Sequence, residues 1–210
     1  MNDSKKIVLI GGGGHARSLA ESGCHIDGYA DTREVTDMPL PRIGSDEDIL
    51  SSMDPLTTCL HIAIVGGDGR SMSARRRIIE RFSSFPAATL IAPSATVTPS
   101  STIGEGSAVL CGAIINGASI GSHNVVNTGA IVEHGCHTGS NVFIGPGAVI
   151  CGGVTIGDDC FIGAGVTIRN CVSICRGVTI GIGAAVVSDI TRPGIWAGVP
   201  ARRLSSSDKQ

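Results

Sequence analysis

Residues 118–186 decide the fold, and they read ASIGSHNVVNTGAIVEHGCHTGSNVFIGPGAVICGGVTIGDDCFIGAGVTIRNCVSICRGVTIGIGAAV. Every sixth residue from Ile120 to Val186 is β-branched: eleven of these twelve positions hold Ile or Val, and Thr138 is the twelfth. Small or compact residues lie two positions earlier. A six-residue period fits neither an amphipathic helix nor a coiled coil, but it is typical of a parallel β-helix in which each hexad forms one short strand and turn.

The same step extends towards the N-terminus through Val97, Ile103, Val109 and Ile115. A five-residue step from Ile115 to Ile120 then resets the phase. We therefore expect a distortion of one coil at this point.

The first ninety residues follow a different pattern, in which short apolar runs alternate with helical segments. Strands are predicted over 5–10, 26–30 and 59–65, and helices over 15–22, 46–53 and 71–82. This alternation predicts a small parallel sheet of the Rossmann type, which binds ligands at the carboxyl ends of its strands.

Composition and charge exclude several classes of function. The net charge is −2 and no long basic run occurs, so we expect no nucleic-acid partner. The start, MNDSKKIVLIGGGG, is too polar for a signal peptide or a membrane span, which predicts a cytoplasmic protein without a membrane partner. The eight cysteines include no CxxC pair, so we expect reduced, structural thiols and no metal site.

A glycine-rich turn follows the first predicted strand. Gly11, Gly13 and Ala16 match the G-x-G-x-x-G/A pattern of dinucleotide-binding proteins, and Asp31 lies near the spacing of a ribose-binding acid. An NAD-dependent oxidoreductase is therefore one alternative. The unit is too short for a second mononucleotide half, and a sugar nucleotide fits better. His15 begins the next helix, where it is a candidate for contact with phosphate or sugar.

Polar residues concentrate in the segment from Asn127 to Asn141. With three hexads in each coil, residues eighteen apart stack about 4.8 Å from one another. This spacing predicts that His134 lies on the outer surface between Asn116 and Gly152. An imidazole beside an exposed backbone N–H can accept a proton while the N–H stabilises an oxyanion. His25, His61 and His123 have no such context and are interpreted as structural.

The combination of IVLIGGGGHARSLAE (7–21), VVNTGAIVEHGC (125–136), the long hexad array and WAGVPARRL (196–204) resembles the bacterial sugar O-/N-acyltransferases. This family includes sialic acid O-acetyltransferases and N-acetyltransferases of nucleotide-linked 4-amino sugars. The resemblance implies a small Rossmann-like nucleotide-sugar-binding domain over 1–90 and a left-handed β-helix acyltransferase domain with a C-terminal tail over 91–210. It also implies a homotrimer that binds acetyl-CoA between neighbouring subunits.

The resemblance further implies a role for individual residues. His134 matches the general base of the family, and Asn127 matches its sugar-contacting asparagine. The nucleotide sugar is expected at Gly13, Gly14, His15 and Asp31. The residues expected to contact acetyl-CoA are Phe143, Gly152, Ala164 and Ile182. The preferred reaction is N-acetylation of a 4-amino sugar by direct transfer, and the close alternative is O-acetylation of sialic acid. A non-catalytic scaffold is the third possibility.

Two positions depart from the pattern of the family. Glu or Asp usually follows the base, where this chain has Gly135, and a histidine that contacts acetyl-CoA is common where this chain has Phe143. The first departure predicts a less strongly oriented His134, for which Glu133 or His137 are candidate replacements. The second predicts an altered acetyl pocket.

Overall fold

The computed structural model describes residues 5–66 and 69–204. Its N-terminal part is a four-stranded parallel sheet in the order β3-β2-β1-β4, with three helices. The elements are β1 (Lys6–Ile10), α1 (Gly14–Ala20), β2 (Gly28–Ala30), β3 (Arg42–Gly44), α2 (Asp46–Ser52), β4 (Thr58–Ile62) and α3 (Gly69–Arg81). All the strands and helices predicted for this part are present, whereas β3 was not predicted. The assignment of this part as a Rossmann-like domain stays a prediction, and residues 205–210 of the predicted tail lie outside the described residues.

Local sequence explains the ends of these elements. The apolar run of β1 is buried at Val8, Leu9 and Ile10, and Gly11 ends it with a φ of +103°. A capping box begins α2, since the Ser45 hydroxyl accepts from the Asp48 N–H and the Asp48 carboxylate accepts from the Ser45 N–H.

The hexads form a parallel β-helix of three sheets, as the six-residue period predicted. The first coil sheet contains β5 (Leu90–Ile91), β8 (Ala108–Val109), β11 (Val125–Val126), β14 (Phe143–Ile144), β17 (Phe161–Ile162) and β20 (Val178–Ile180). The second contains β6 (Thr96–Val97), β9 (Ile114–Ile115), β12 (Ile131–Val132), β15 (Val149–Ile150), β18 (Thr167–Ile168) and β21 (Ala185–Val186). The third contains β7 (Thr102–Ile103), β10 (Ser119–Ile120), β13 (His137–Thr138), β16 (Thr155–Ile156) and β19 (Ser173–Ile174).

The interior of the coil is built from the two predicted rows. From Ile120 to Val186 the β-branched row is buried, apart from a half-buried Thr138, and so is the small-residue row. The two polar residues in these rows, Asn124 and Thr138, form a hydrogen bond with each other, in which Asn124 donates to the Thr138 hydroxyl at 2.7 Å. Asn124 also accepts from the Val142 N–H at 2.6 Å. All eight cysteines are free thiols, and Cys136 and Cys160 lie buried within this core.

The five-residue step shortens one coil by a residue. Ile115 pairs with Val132, seventeen positions later, whereas Val132 pairs with Ile150, eighteen positions later. The stacking of Asn116 under His134, which assumed eighteen throughout, is therefore wrong. Asn116 lies in register with Glu133, and Gly117 lies beneath His134.

The outer face of the first coil sheet packs against the N-terminal part. Val125, Phe143 and Phe161 form a row on this face and share an apolar cluster with Leu9 of β1 and Leu19 of α1. The two parts are therefore joined by a continuous apolar contact.

A short hairpin closes the C-terminal end of the coil. Strand β22 (Gly194–Ala197) adds to β20 in parallel, and β23 (Arg202–Arg203) adds to β22 in the antiparallel direction. Among the described helices, none combines the length and apolar character that a membrane crossing requires.

Candidate active site

The glycine turn lies between two clefts. A cleft of about 500 Å³ is lined by Gly12, Gly13 and Asp31, together with residues 33–36. The Asp31 carboxylate accepts the Gly12 N–H at 2.8 Å, so it is anchored where β1 and β2 end. Burial alone would raise the pKa of Asp31, but hydrogen bonds, chiefly from Gly12 and Arg33, keep it below the ordinary value. This cleft therefore has an anchored carboxylate, that of Asp31, next to the backbone of Gly12 and Gly13.

The second cleft, of about 450 Å³, lies between α1 and the coil. It brings together four of the residues predicted to bind ligands, and Val65 and Gly66, which follow β4, also line it. Its lining is Gly14, His15, Ser18, Val65, Gly66, Asn127, Thr128, Phe143, Pro146 and Phe161. Phe143 and Phe161 stack with their ring centroids 4.9 Å apart. The position at which the sequence departs from the family pattern is therefore part of an apolar aromatic wall.

His15 is a neutral group in this second cleft. Burial, and then the electrostatic effects of His61 and Arg75, lowers the pKa of His15 to about 3. Its Nε2 atom is shielded from solvent and has no hydrogen-bond partner among the described residues. At pH 7 the imidazole can therefore donate or accept one hydrogen bond to a ligand, but it carries no positive charge to attract a phosphate.

His134 lies on the outer wall of the coil, against Gly152. The ring is exposed, and a Cβ added to Gly152 would lie 2.8 Å from its Cε1 and 2.9 Å from its Nε2. Only glycine leaves room for the imidazole at this point. The Gly152 N–H donates no hydrogen bond within the described part of the chain, so it is available to a ligand oxygen.

The candidate replacements for the missing acidic residue do not contact the ring. The Glu133 carboxylate accepts from Asn116 at 2.9 Å and from the backbone N–H of His134 at 3.4 Å. His137 is exposed on β13, where its backbone pairs with Ser119 and Thr155. The imidazole of His134 has no hydrogen bond from a side chain in residues 5–66 and 69–204.

The predicted residues fall at two different corners of the coil. Asn127 and Thr128 lie where the first coil sheet turns into the second, and Ala164 and Ile182 lie at the same corner in later coils, with Ile182 80% exposed. His134 and Gly152 lie at the next corner, where the second sheet turns into the third. One side of the coil separates the two groups, so a single chain does not bring His134 to the cleft that contains His15 and Asn127.

Sequence reasoning missed a set of buried polar residues behind the second cleft. Arg75 and His61 are both almost wholly buried, and Asn141 is buried beside them on the coil. The sequence signal was weak, because Arg75 is one of three consecutive arginines in the helix predicted over 71–82, and nothing local distinguishes it from its neighbours. Within the described residues, no group of three or more His, Cys, Asp or Glu is arranged to hold a metal ion.

Comparisons with known proteins place this geometry in a family. The bacterial transferase hexapeptide model, of six repeats, matches residues 135–170. No curated protein sequence matches the chain. The acetyltransferase domain of PglB from Neisseria gonorrhoeae FA1090 is similar, with a TM-score of 0.88 and 34% identity over 96% of this chain and 100% of that one. It has also been solved with acetyl coenzyme A.

A second similar structure is a variant of perosamine N-acetyltransferase from Caulobacter crescentus in complex with CoA and GDP-perosamine. It is 33% identical over 96% of this chain and 97% of that one, with a TM-score of 0.81. WeeI from Acinetobacter baumannii AYE, at 22% identity and a TM-score of 0.75, shares the fold. The repeat, the coil and these full-length similarities agree, and the chain belongs to the hexapeptide-repeat sugar acyltransferases, which are enzymes with a left-handed β-helix.

Proposed function

We propose that the protein transfers the acetyl group of acetyl-CoA to the 4-amino group of a nucleotide-linked amino-deoxy sugar. The observation that carries the proposal is the contact between the His134 imidazole and Gly152, whose N–H is unpaired. Similar solved structures include one with acetyl coenzyme A and one with CoA and GDP-perosamine, which supports both substrates. Residues 1–90 would bind the nucleotide sugar, and residues 91–210 would perform the transfer.

In this mechanism His134 is the general base. As the amine nitrogen forms a bond to the acetyl carbonyl carbon, His134 accepts a proton from that nitrogen. The Gly152 N–H donates to the oxygen on which negative charge develops. The carbon–sulfur bond then breaks, and the coenzyme A thiolate leaves and receives the proton from His134. No acetyl-enzyme forms, because the two substrates react directly while they are held together.

The nucleotide sugar would lie along the glycine turn. Gly13 and Asp31 line one cleft, while Gly14, His15 and Asn127 line the other. The neutral His15 suits a hydroxyl or amino group of the sugar better than a phosphate. Phe143 would contact the acetyl end or the sugar as an apolar wall, and the corner that holds Ala164 and Ile182 would contact the pantetheine arm.

We further propose a homotrimer in which each site is completed by two copies. The support is the separation of His134 from the cleft that contains Asn127 within one chain. Co-expression of His134→Ala with Asn127→Ala tests this arrangement. If each site takes one residue from each copy, the co-expressed mixture as a whole should regain up to about one quarter of wild-type activity, because random assembly restores that share of all sites. No gain from a mixture shown to contain both variants would contradict shared sites.

The reaction is tested by coenzyme A release across a panel of nucleotide 4-amino sugars and free sialic acids. We expect release with the amino sugars, and His134→Ala should lower kcat by about 10²- to 10⁴-fold. His137→Ala, an exposed histidine on the next strand, is the matched control and should keep its activity. Near-native turnover in a folded His134→Ala variant would contradict the mechanism, and activity with sialic acid alone would favour O-acetylation.

A further inference from the structure

Helix α3 crosses the coil at its third corner, where the third coil sheet turns into the first. From Gly106 to Gly183, each turn of the coil has a residue with φ between about +57° and +72°, and most of these residues are glycine. At this corner three successive coils have His123, Asn141 and Asp159 instead, with φ of +57°, +57° and +59°. We call these three residues the docking corner. Non-glycine residues are uncommon in this conformation, although Asn, Asp and His adopt it more often than other residues, so the contacts of these three are informative.

Two of the three side chains, those of Asn141 and Asp159, hold α3. Asn141 donates to the Met72 carbonyl at 2.9 Å and to the Asp159 carboxylate at 2.8 Å. Arg76 donates to Asp159 at 2.7 Å. The docking corner therefore holds α3 by side-chain hydrogen bonds and by one ion pair.

Arg75 makes the most unusual contact of the helix. Its guanidinium is 1% exposed, and Nη1 donates to the His123 carbonyl at 2.6 Å and to Asn141 Oδ1 at 2.7 Å. Its Nη2 donates to the Ile62 carbonyl at 3.3 Å. These three acceptors are uncharged oxygens. Burial of a charged group is costly. Arg76 already binds α3 to the coil from a more exposed position, so attachment of the helix does not by itself explain why Arg75 is buried.

The third acceptor connects Arg75 to the second cleft. Ile62 is the last residue of β4, and Val65 and Gly66, which follow it, line that cleft. His61, also on β4, is wholly buried and contacts the Ala88 carbonyl at 3.0 Å. The charge of Arg75 contributes, after burial and His61, to the lowered pKa of His15 on the facing wall. Arg75 therefore joins the end of the strand that leads to Val65 and Gly66, on one wall of the cleft, to the coil that forms the other wall.

We propose that Arg75 is a positioning residue for the nucleotide sugar: it fixes the end of β4 and the segment 63–66 against the coil, so that the cleft between His15 and Asn127 keeps its shape. The inference rests on the proposed function, since it assigns the sugar to this cleft. Arg75 does not touch the substrate and acts through the backbone of β4. The contact with the coil is what makes the cleft rigid, because its two walls belong to the two parts of the chain.

Kinetic measurements on Arg75→Gln and Arg75→Lys, with Arg76→Gln as the matched control, test the inference. Arg76 contacts the same corner from the same helix but donates nothing to β4. For Arg75→Gln we expect a KM for the nucleotide sugar raised about tenfold, with kcat and the KM for acetyl-CoA nearly unchanged, which is the pattern of lost binding. Arg75→Lys should show a smaller rise in the KM for the nucleotide sugar. The same variant tests the inference if Arg75→Gln does not fold. Arg76→Gln should leave both KM values unchanged.

Amide hydrogen exchange gives a readout that does not depend on activity. Peptides that cover residues 60–66 should exchange faster in Arg75→Gln or Arg75→Lys than in Arg76→Gln, at equal global stability. Equal exchange in all variants, or equal KM values for the nucleotide sugar, would overturn the inference. A wild-type protein that transfers no acetyl group would instead overturn the proposed function, and the exchange result would still decide the role of Arg75.

Discussion

Two corners of the same coil have the same left-handed backbone conformation but different residues in it. The corner between the first and second coil sheets has glycine at every left-handed position: Gly112, Gly129, Gly147, Gly165 and Gly183. The docking corner has the same backbone conformation but uses His123, Asn141 and Asp159. Glycine satisfies the turn at no steric cost, whereas Asn141 and Asp159 at the docking corner make side-chain hydrogen bonds that glycine could not make.

The largest effect is expected at the docking corner itself. Asn141→Ala should lower the free energy of unfolding by about 3 kcal/mol, because three hydrogen bonds disappear and alanine is strained at this φ. Urea denaturation measures the loss. Gly165→Ala is the control at the glycine corner, where an added Cβ meets nothing within 4 Å. It should cost only about 1 kcal/mol of strain. Equal losses would mean that the Asn141 hydrogen bonds contribute nothing.

Gly152→Ala tests the corner that contains His134. Its Cβ would lie 2.8 Å from the imidazole, so the ring must move, and kcat should fall about a hundredfold while stability changes little. Asn170→Ala, eighteen residues later at an exposed position of the same corner, is the control and should retain turnover. Unchanged turnover in Gly152→Ala would show that the ring position observed here does not matter for catalysis.

The third prediction concerns pH and the buried polar groups beside the docking corner. Burial lowers the pKa of His61 from 6.5 to about 4, so the unfolded chain binds this proton first as the pH falls. The contribution of His61 to stability is therefore complete above pH 6.5 and is lost between pH 6.5 and about 4, by about 1.4 kcal/mol per pH unit. Denaturation at several pH values should show a shallower decline in His61→Asn. If the free energy of unfolding fell equally steeply with pH in the wild type and in His61→Asn, His61 would not be a neutral, buried group.

The smallest effect is expected at Cys171, an exposed residue with φ of +58° where Gly153 occupies the coil below. Cys171→Gly should raise the free energy of unfolding by about 1 kcal/mol or less, because it relieves strain without removing a buried contact. Thermal or urea denaturation measures the gain. A loss of stability would mean that the thiol makes a contact as useful as those of Asn141.

The sequence predicted the coil far better than the site. The inward rows follow from a six-residue period that each coil repeats, so one observation fixes every strand. The predicted register beneath His134 was wrong, because a single five-residue step moved Asn116 by one position. Strand β3 was missed because it has three residues and two of them are exposed. Arg75 and Asn141 were missed, and His61 was interpreted as structural without a prediction of its burial, because burial of a polar side chain depends on contacts across the chain.

One signal for the packing of the two parts was present in the sequence. Val125, Phe143 and Phe161 are apolar on the outer face of the coil and recur every eighteen residues, the spacing of one full turn. An outward apolar row of this period predicts a covered sheet, and the structure places β1 and α1 over it. The identity of the covering element could not be predicted, because nothing in a local period specifies its distant partner.

The hairpin at the C-terminal end has a consequence for assembly. A parallel solenoid presents an open strand edge at its last rung, and a second molecule could add there to begin a filament. Because β23 runs against the direction of β22, the outermost strand of the first coil sheet no longer matches the rung that a new coil would offer. Reversal of this short strand therefore blocks the addition of a matching parallel strand to the first coil sheet at this end.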